Sequence, residues 1–177
     1  FVGFVVYFPI TNTDIWWHLA AAREMLTHKT FLYFDPFALT LESTPWINLH
    51  WLFQILVFEL YSMAGAWGLV IVKCLSTALA CVLLCLVSPS RRYATITAAL
   101  YAILLYEARY LVLARPIVVT LVCIAAYLYC FGKWKANRHR HVLLWSIPVQ
   151  LVWTNSQGLF ALGPAIAGAF WLGDAVE

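Results

Sequence analysis

The stretch from Gly65 to Val87 reads GAWGLVIVKCLSTALACVLLCLV, an apolar run that contains one charged residue, Lys73. A helix that crosses a bilayer needs about 20 predominantly apolar residues, and this run is longer. The chain as a whole has the same character, because 64% of its 177 residues are hydrophobic and only 11% are charged. A soluble domain averages about 25% charged residues. The sequence therefore predicts an all-α, polytopic membrane helical bundle.

Further apolar runs lie on both sides of this stretch. Residues 1–10 are too few to cross a bilayer, so we expect them to be the end of a first transmembrane helix. After residue 64 the sequence predicts about four to five spans, some short or broken, in the runs 65–87, 94–114, 116–132, 142–154 and 159–173. Pro148 and Gly163-Pro164 are expected to interrupt the last two runs. Since residue 1 is Phe and the chain stops just after an apolar run, we expect a piece of a larger protein.

Residues 11–64 are a polar and aromatic segment between two apolar regions. Apolar residues recur at helical spacing within it, which predicts amphipathic helices over residues 14–27 and 47–63. Its tryptophans fit the belt that such side chains form at a membrane–water interface; they are Trp16, Trp17, Trp46 and Trp51. We therefore predict a long loop whose two helices lie at the membrane surface.

The basic residues predict how the chain is oriented. Six of them fall in loops on one side of the predicted spans: Arg91, Arg92, Lys133, Lys135, Arg138 and Arg140. Cytoplasmic loops carry an excess of Lys and Arg, so this side is expected in the cytoplasm and the loop 11–64 outside. The expected location is the plasma membrane, which in a bacterium is the inner membrane. The charge pattern suits contact with membrane lipid and does not suggest a nucleic-acid partner.

Three charged or polar side chains are predicted to lie on that external side. Asp14 and His18 are four residues apart, so they share one helix face. We expect Asp14 to be partly buried beside Trp16 and Trp17, although it could equally be a carboxylate that stabilises the start of a helix. Arg115 lies at an external span end, where it either contacts a lipid phosphate or anchors the span.

The stretch Asn155-Ser-Gln-Gly158 separates two short apolar runs. Polar backbone at membrane depth is tolerated only where it is buried in protein or lines a cavity, so this break is expected to face a pocket that opens to the outside. Its Asn155 and Gln157 either hydrogen-bond a sugar or cap helix ends. His50 is a further candidate, and it shares a helix face with Gln54.

Short motifs along nearly the whole chain resemble the first external loop and later elements of integral-membrane glycosyltransferases with the GT-C fold. This superfamily includes protein mannosyltransferases, aminoarabinose transferases and oligosaccharyltransferase catalytic subunits. The motifs are Asn-x-Asp-x-Trp-Trp-His-Leu (12–19), Ala-Arg-Glu-Met-Leu (22–26), Asp-Pro-Phe (35–37), Pro-Trp (45–46), His-Trp-Leu (50–52), Ala-Arg-Pro (114–116) and Trp-Thr-Asn-Ser-Gln-Gly (153–158).

The resemblance implies a polyprenyl-phosphate-linked sugar as donor and an acid in the first external loop as base or metal ligand. By position that acid is Asp14, with His18 beside it to orient it or to bind a phosphate. The substrate-binding candidates are Arg115, His50, Asn155 and Gln157. Many members carry a second acid where this chain has Asn12, which argues against a divalent metal because Mg²⁺ and Mn²⁺ prefer carboxylate oxygens. No metal site or other cofactor is predicted.

The sequence leaves three kinds of function open. The first is a membrane glycosyltransferase that moves a sugar from a polyprenyl-phosphate-linked donor to an acceptor on the external face. The second is a non-catalytic structural or accessory subunit of a membrane complex, which Asn12 favours and which implies other membrane subunits as partners. The third is a transporter with broken helices around a midplane site. It ranks last because the spans contain few ionisable groups and no internal repeat is visible.

Overall fold

The computed structural model describes residues 13–37, 45–108, 114–138 and 140–176. Over these ranges the chain forms seven α-helices and two 3₁₀ segments and no β-strand. The helices are α1 (Asp14–His28), α2 (Trp51–Ala64), α3 (Ala66–Val87), α4 (Arg91–Glu107), α5 (Ile117–Asn137), α6 (Ser146–Thr154) and α7 (Leu162–Val176), and the 3₁₀ segments are Arg140–Trp145 and Gly158–Ala161. The predicted all-α class is confirmed. Residues 1–10, with the predicted first span, and Asn12 lie outside the described residues.

The helix α1 forms where hydrophobic periodicity predicts it, over residues 14–28 against the predicted 14–27. Of the apolar stripe that this spacing predicts, Ile15, Leu19 and Ala22 are buried, whereas Leu26 is 38% exposed. The helix ends at Lys29, which adopts the left-handed conformation with φ 52° and donates its backbone N–H to the Met25 carbonyl. One side of α1 therefore faces the protein core, as expected of an amphipathic helix.

The helix α2 begins at Trp51 instead of the predicted residue 47. The cause is local, because the Asn48 side chain accepts the backbone N–H of His50 at 3.1 Å and holds the chain in a turn. The connection from α2 to α3 is a single residue, Gly65, whose φ of 58° is a conformation that glycine adopts readily. A Cβ at Gly68 would overlap the carbonyl of Leu60, so the two helices approach closely after this turn.

Three segments are long and apolar enough to cross a membrane, by length and composition: α3, α5 and Gly158–Val176. The described residues therefore contain three candidate spans, whereas the sequence predicts four to five for the chain. The helix α4 covers 17 residues and ends at Glu107, short of the predicted residue 114. In contrast, α5 runs past the predicted end at residue 132 and stops at Asn137.

At the predicted interruptions, Pro148 and Gly163-Pro164, each apolar run changes from a 3₁₀ segment to an α-helix that begins two residues before the proline. Pro148 lies in the first turn of α6 and Pro164 in the first turn of α7. A first-turn N–H has no partner within the helix, so proline is tolerated there. The chain leaves helical structure at residues 155–157, between α6 and the second 3₁₀ segment. The predicted break at Asn155-Ser-Gln-Gly158 is thus present.

The core joins the loop helices to the bundle. One cluster of buried side chains draws on α1 to α5 and the residue Ala114: Ile15, Leu19, Phe53, Val57, Leu69, Leu105, Ala114 and Val118. A second cluster, formed by Cys123, Tyr127 and Trp153, packs α6 against α5. On the outer surface, large apolar side chains such as Leu75 and Leu104 are exposed, which is typical of a surface that meets lipid or another protein.

The bundle has two distinct ends. Val87, at the end of α3, lies against Gly132 near the end of α5. Six basic residues flank these positions and therefore gather at one end of α5: Arg91, Arg92, Lys133, Lys135, Arg138 and Arg140. Arg115 precedes the other end of that helix, about 30 Å away for 21 residues. The loop helix α1 contacts the chain at the Arg115 end.

Candidate functional site

Asp14 and Arg115 form an ion pair at the end of the bundle that carries the loop helices. Nη2 of Arg115 lies 2.6 Å from Oδ2 of Asp14. Asp14 is in the first turn of α1, where the helix dipole favours a negative charge. Arg115 directly precedes Pro116, the N-cap residue of α5. The sequence singled out both residues, and the structure brings them together.

The side chain of Asp14 is 52% exposed, so about half of it is buried. Of the two neighbouring tryptophans, Trp16 packs edge-on against Tyr61 and Trp17 packs against Trp46. Arg115 is 43% exposed, so solvent reaches both charges of the pair.

His18, one turn after Asp14, has very different surroundings. Its side chain is buried, with 5% exposure, between the rings of Trp17 and Phe53. Its Nδ1 lies 3.3 Å from Nε2 of Gln54, which is fully buried in α2. Gln54 in turn accepts a hydrogen bond of 2.6 Å from the side-chain amide of Asn48. His18 is thus held by a buried polar network.

This environment keeps His18 neutral. The pKa of His18 is lowered from 6.5 to about 4, and burial is the largest cause. The nearby His50 and Arg115 also lower the pKa, while Asp14 raises it. Asp14, His50 and Arg115 are therefore all close enough to act electrostatically on His18. A neutral His18 can donate one hydrogen bond and accept another.

His50 lies beside His18 and connects it to the break after α6. The two imidazole rings are edge to face, with centroids 5.7 Å apart. Nδ1 of His50 lies 3.2 Å from the carbonyl oxygen of Ser156. The sequence-predicted residues Asp14, His18, His50 and Arg115 thus belong to one continuous cluster.

Asn155 and Gln157 lie at the same end of the bundle but have structural partners. Oδ1 of Asn155 accepts the indole N–H of Trp51 at 2.9 Å, and its backbone carbonyl accepts the N–H of Leu52 at 3.1 Å. Oε1 of Gln157 accepts the backbone N–H of Leu159 and caps the second 3₁₀ segment. The sequence left two roles open for these residues, hydrogen-bonding a sugar or capping helix ends. The contacts in the structure are of the capping kind.

Three members of the cluster were not predicted as site residues: Asn48, Gln54 and Ser156. Gln54 could have been predicted, because it is a polar residue within the apolar sequence of α2. A polar side chain is costly to bury unless it is hydrogen-bonded, so its position indicates a hydrogen-bond partner. Asn48 stands just before the helix, where such residues commonly form turns. Ser156 contributes only a backbone carbonyl, which leaves no signal in its side chain.

Two cavities lie along the loop helices, next to the cluster. The larger, about 310 Å³, is lined by Trp16, Leu19, Ala20, Arg23, Phe58 and Tyr61. The smaller, about 170 Å³, is lined by Met25, Leu26, Lys29, Thr30, Phe31 and Ile55. Neither is lined by the histidines of the cluster. Among the described residues, no group of three or more His, Cys, Asp or Glu side chains is placed to hold a metal ion.

Comparisons of this chain with models of protein families, with curated proteins and with solved structures give no match.

Proposed function

We propose that this chain is part of a polytopic membrane glycosyltransferase. In this proposal it moves a sugar from a polyprenyl-phosphate-linked donor to an acceptor hydroxyl on the external face of the membrane. The observation that carries the proposal is the ion pair between Asp14 and Arg115 beside the two histidines. It unites residues from distant parts of the sequence at the end of the bundle opposite the basic loops. The sequence motifs that resemble GT-C enzymes fall on these same residues.

The cluster contains the groups that sugar transfer from a phosphate requires. The leaving phosphate needs a cation or hydrogen-bond donors, and the guanidinium of Arg115 suits a phosphate because it can donate two parallel hydrogen bonds. The acceptor hydroxyl needs a base. Two groups can accept its proton, namely the Asp14 carboxylate that the sequence pointed to and the imidazole of His50. The tryptophans at the loop surface offer apolar faces for the sugar ring and the lipid.

The accessory-subunit function is the second candidate, and specific contacts favour it. Asp14 and Arg115 bond to each other, while Asn155 and Gln157 bond within the fold. Each of these contacts also suits a purely structural role. Stoichiometric copurification with other membrane subunits, together with an absence of sugar transfer, would support this second function.

The test of the first function is a transfer assay with the full-length protein in its membranes. Radiolabelled polyprenyl-phosphate hexoses and pentoses are supplied as donors, and label in membrane-derived acceptors is measured. We expect transfer by the wild type and a large loss in Asp14→Asn. Glu59→Gln, an exposed carboxylate on α2, serves as the control and should retain activity. Equal transfer by the wild type and Asp14→Asn would exclude a role for Asp14.

A further inference from the structure

The hydrogen bonds around His18 have a single possible direction. The backbone N–H of His50 can only donate, and it donates to Oδ1 of Asn48 at 3.1 Å. The other side-chain atom of Asn48, Nδ2, is therefore the donor to Oε1 of Gln54 at 2.6 Å. Nε2 of Gln54 is then left as a donor, and it lies 3.3 Å from Nδ1 of His18. One backbone amide thus fixes the orientation of both side-chain amides.

This direction fixes the tautomer of His18. Since its Nδ1 accepts a hydrogen bond from Gln54, the proton of the neutral ring is on Nε2. Adding a second proton at Nδ1 would place it against an amide N–H. The buried position and the lowered pKa, about 4, agree with a ring that stays neutral. His18 therefore presents an N–H donor at Nε2.

His50 has the opposite tautomer. The carbonyl oxygen of Ser156 can only accept, so Nδ1 of His50 carries the proton in the 3.2 Å hydrogen bond between them. Nε2 of a neutral His50 then carries a lone pair. Within residues 13–37, 45–108, 114–138 and 140–176, no protein group hydrogen-bonds to Nε2 of His50. A histidine whose Nδ1–H is held by a carbonyl is the arrangement that orients Nε2 as a proton acceptor.

We propose that His50, and not Asp14, is the base that removes the proton of the acceptor hydroxyl, with its Nε2 as the accepting atom. The inference rests on the glycosyltransferase function proposed above. Asp14 is less suited to this role, because protonation would remove the charge that holds Arg115 at 2.6 Å. Asp14 is then a positioning residue that presents Arg115 to the donor phosphate. His18 is a neutral donor beside the base.

The transfer step balances with these residues. The acceptor oxygen forms a bond to the anomeric carbon of the donor sugar while its proton passes to Nε2 of His50. The bond between the anomeric carbon and the phosphate oxygen breaks, and its electron pair stays on the leaving polyprenyl phosphate beside Arg115. His50 becomes an imidazolium whose Nδ1–H remains bonded to Ser156, and it later releases its proton to water. No oxidant, reductant or metal enters the step.

The matched variants are His50→Asn and Asp14→Asn in the full-length protein. An asparagine amide at position 50 takes the place of Nδ1 and can keep the hydrogen bond to Ser156, but it offers no base. We expect His50→Asn to lower kcat by about 10²- to 10⁴-fold with little change in KM for the donor. Asp14→Asn should instead raise KM for the donor more than it lowers kcat. Added imidazole should restore part of the kcat of His50→Ala, which loss of a structural contact would not explain.

The tautomers are measured independently of activity. Imidazole ¹⁵N spectra of the labelled protein in detergent, assigned with His18→Gln and His50→Asn, should show a proton on Nε2 of His18 and on Nδ1 of His50. If the wild type transfers sugar and His50→Asn has the same kcat, His50 is not the base, and the glycosyltransferase function itself still stands. A proton on Nε2 of neutral His50 would also overturn the role of His50. A wild type that transfers no sugar would overturn the glycosyltransferase function itself, and the base with it.

Discussion

Asp14 and Arg115, which are far apart in sequence, are joined by an ion pair of 2.6 Å between Oδ2 and Nη2. The pair connects the first turn of a loop helix to the residue that leads into α5. Both side chains are about half exposed, so solvent screens their attraction. Exposed pairs of this kind contribute about 0.2–1 kcal/mol to stability. We therefore expect the pair to contribute little to the stability of the fold.

A double-mutant cycle measures that contribution. We expect Asp14→Asn, Arg115→Gln and the double variant to give a coupling free energy of about 0.2–1 kcal/mol, because both charges are solvated in the folded protein. Unfolding in detergent, followed by circular dichroism, provides the free energies. The coupling should shrink at high salt. A coupling well above 2 kcal/mol would mean that the pair is a structural element of the core.

Gln54 should contribute far more to stability than any surface residue of α2. Replacing it with leucine leaves Nδ2 of Asn48 and Nδ1 of His18 without their partner inside the protein. We expect Gln54→Leu to lower the free energy of unfolding by about 1–3 kcal/mol, the usual effect of a buried unsatisfied polar group. Glu59→Gln, exposed on the same helix, should change it little. Equal stability of the two variants would show that the network is not formed.

The lowered pKa of His18 predicts a pH dependence of stability. Its pKa is about 4 in the folded protein and 6.5 when the ring is exposed, so between these values the unfolded chain binds more protons. Stability is therefore full above pH 6.5 and falls as the pH is lowered toward 4, by up to about 3 kcal/mol. Thermal unfolding in detergent at several pH values measures the fall. His18→Gln should lack this component, and an identical pH profile in the wild type and the variant would contradict the buried neutral ring.

Trp153 provides a test of the packing between α5 and α6. Its indole is fully buried, and the N–H donates to Oγ1 of Thr120 at 3.0 Å. Thr120→Val keeps the shape of the side chain but leaves the N–H without an acceptor, so we expect a loss of about 1–3 kcal/mol. Thr120→Ser keeps the hydroxyl and should lose much less. If the two variants unfold at the same temperature, the hydrogen bond does not stabilise the bundle.

The sequence predicted the elements better than their surroundings. Hydrophobic spacing predicted the end of α1 to within one residue, because the apolar residues of an amphipathic helix recur at helical spacing along its buried face. The spacing of Asp14 and His18 also put both on one side of α1. It could not tell that one would be exposed and the other buried, since α2 covers His18 while Asp14 meets Arg115, which lies just before α5. Those contacts depend on tertiary packing and have no local signal.

The prolines show a second limit of pattern reading. Pro148 and Pro164 were predicted to interrupt apolar runs. Each run does change from a 3₁₀ segment to an α-helix there, and the proline lies in the first turn of the new helix. The same residue that breaks a helix interior is compatible with a helix start, so the outcome depends on where the helix begins. The stretch at residues 155–157, where the chain does break, holds no proline and was recognised from its run of polar residues.

The central claim is that the end of the bundle bearing Arg115 binds and uses a lipid-linked sugar. The most direct measurement compares the transfer rate from a radiolabelled polyprenyl-phosphate sugar in membranes that contain the wild type, Arg115→Gln or Arg91→Gln. Arg91 is exposed among the basic residues at the opposite end, so its variant is the matched control. A hydrogen bond to a charged group contributes about 1.5–3 kcal/mol. We therefore predict transfer by the wild type and Arg91→Gln, and a KM for the donor that is raised about 10-fold or more in Arg115→Gln. No product from the wild type, or equal kinetics for the two arginine variants, would contradict the claim.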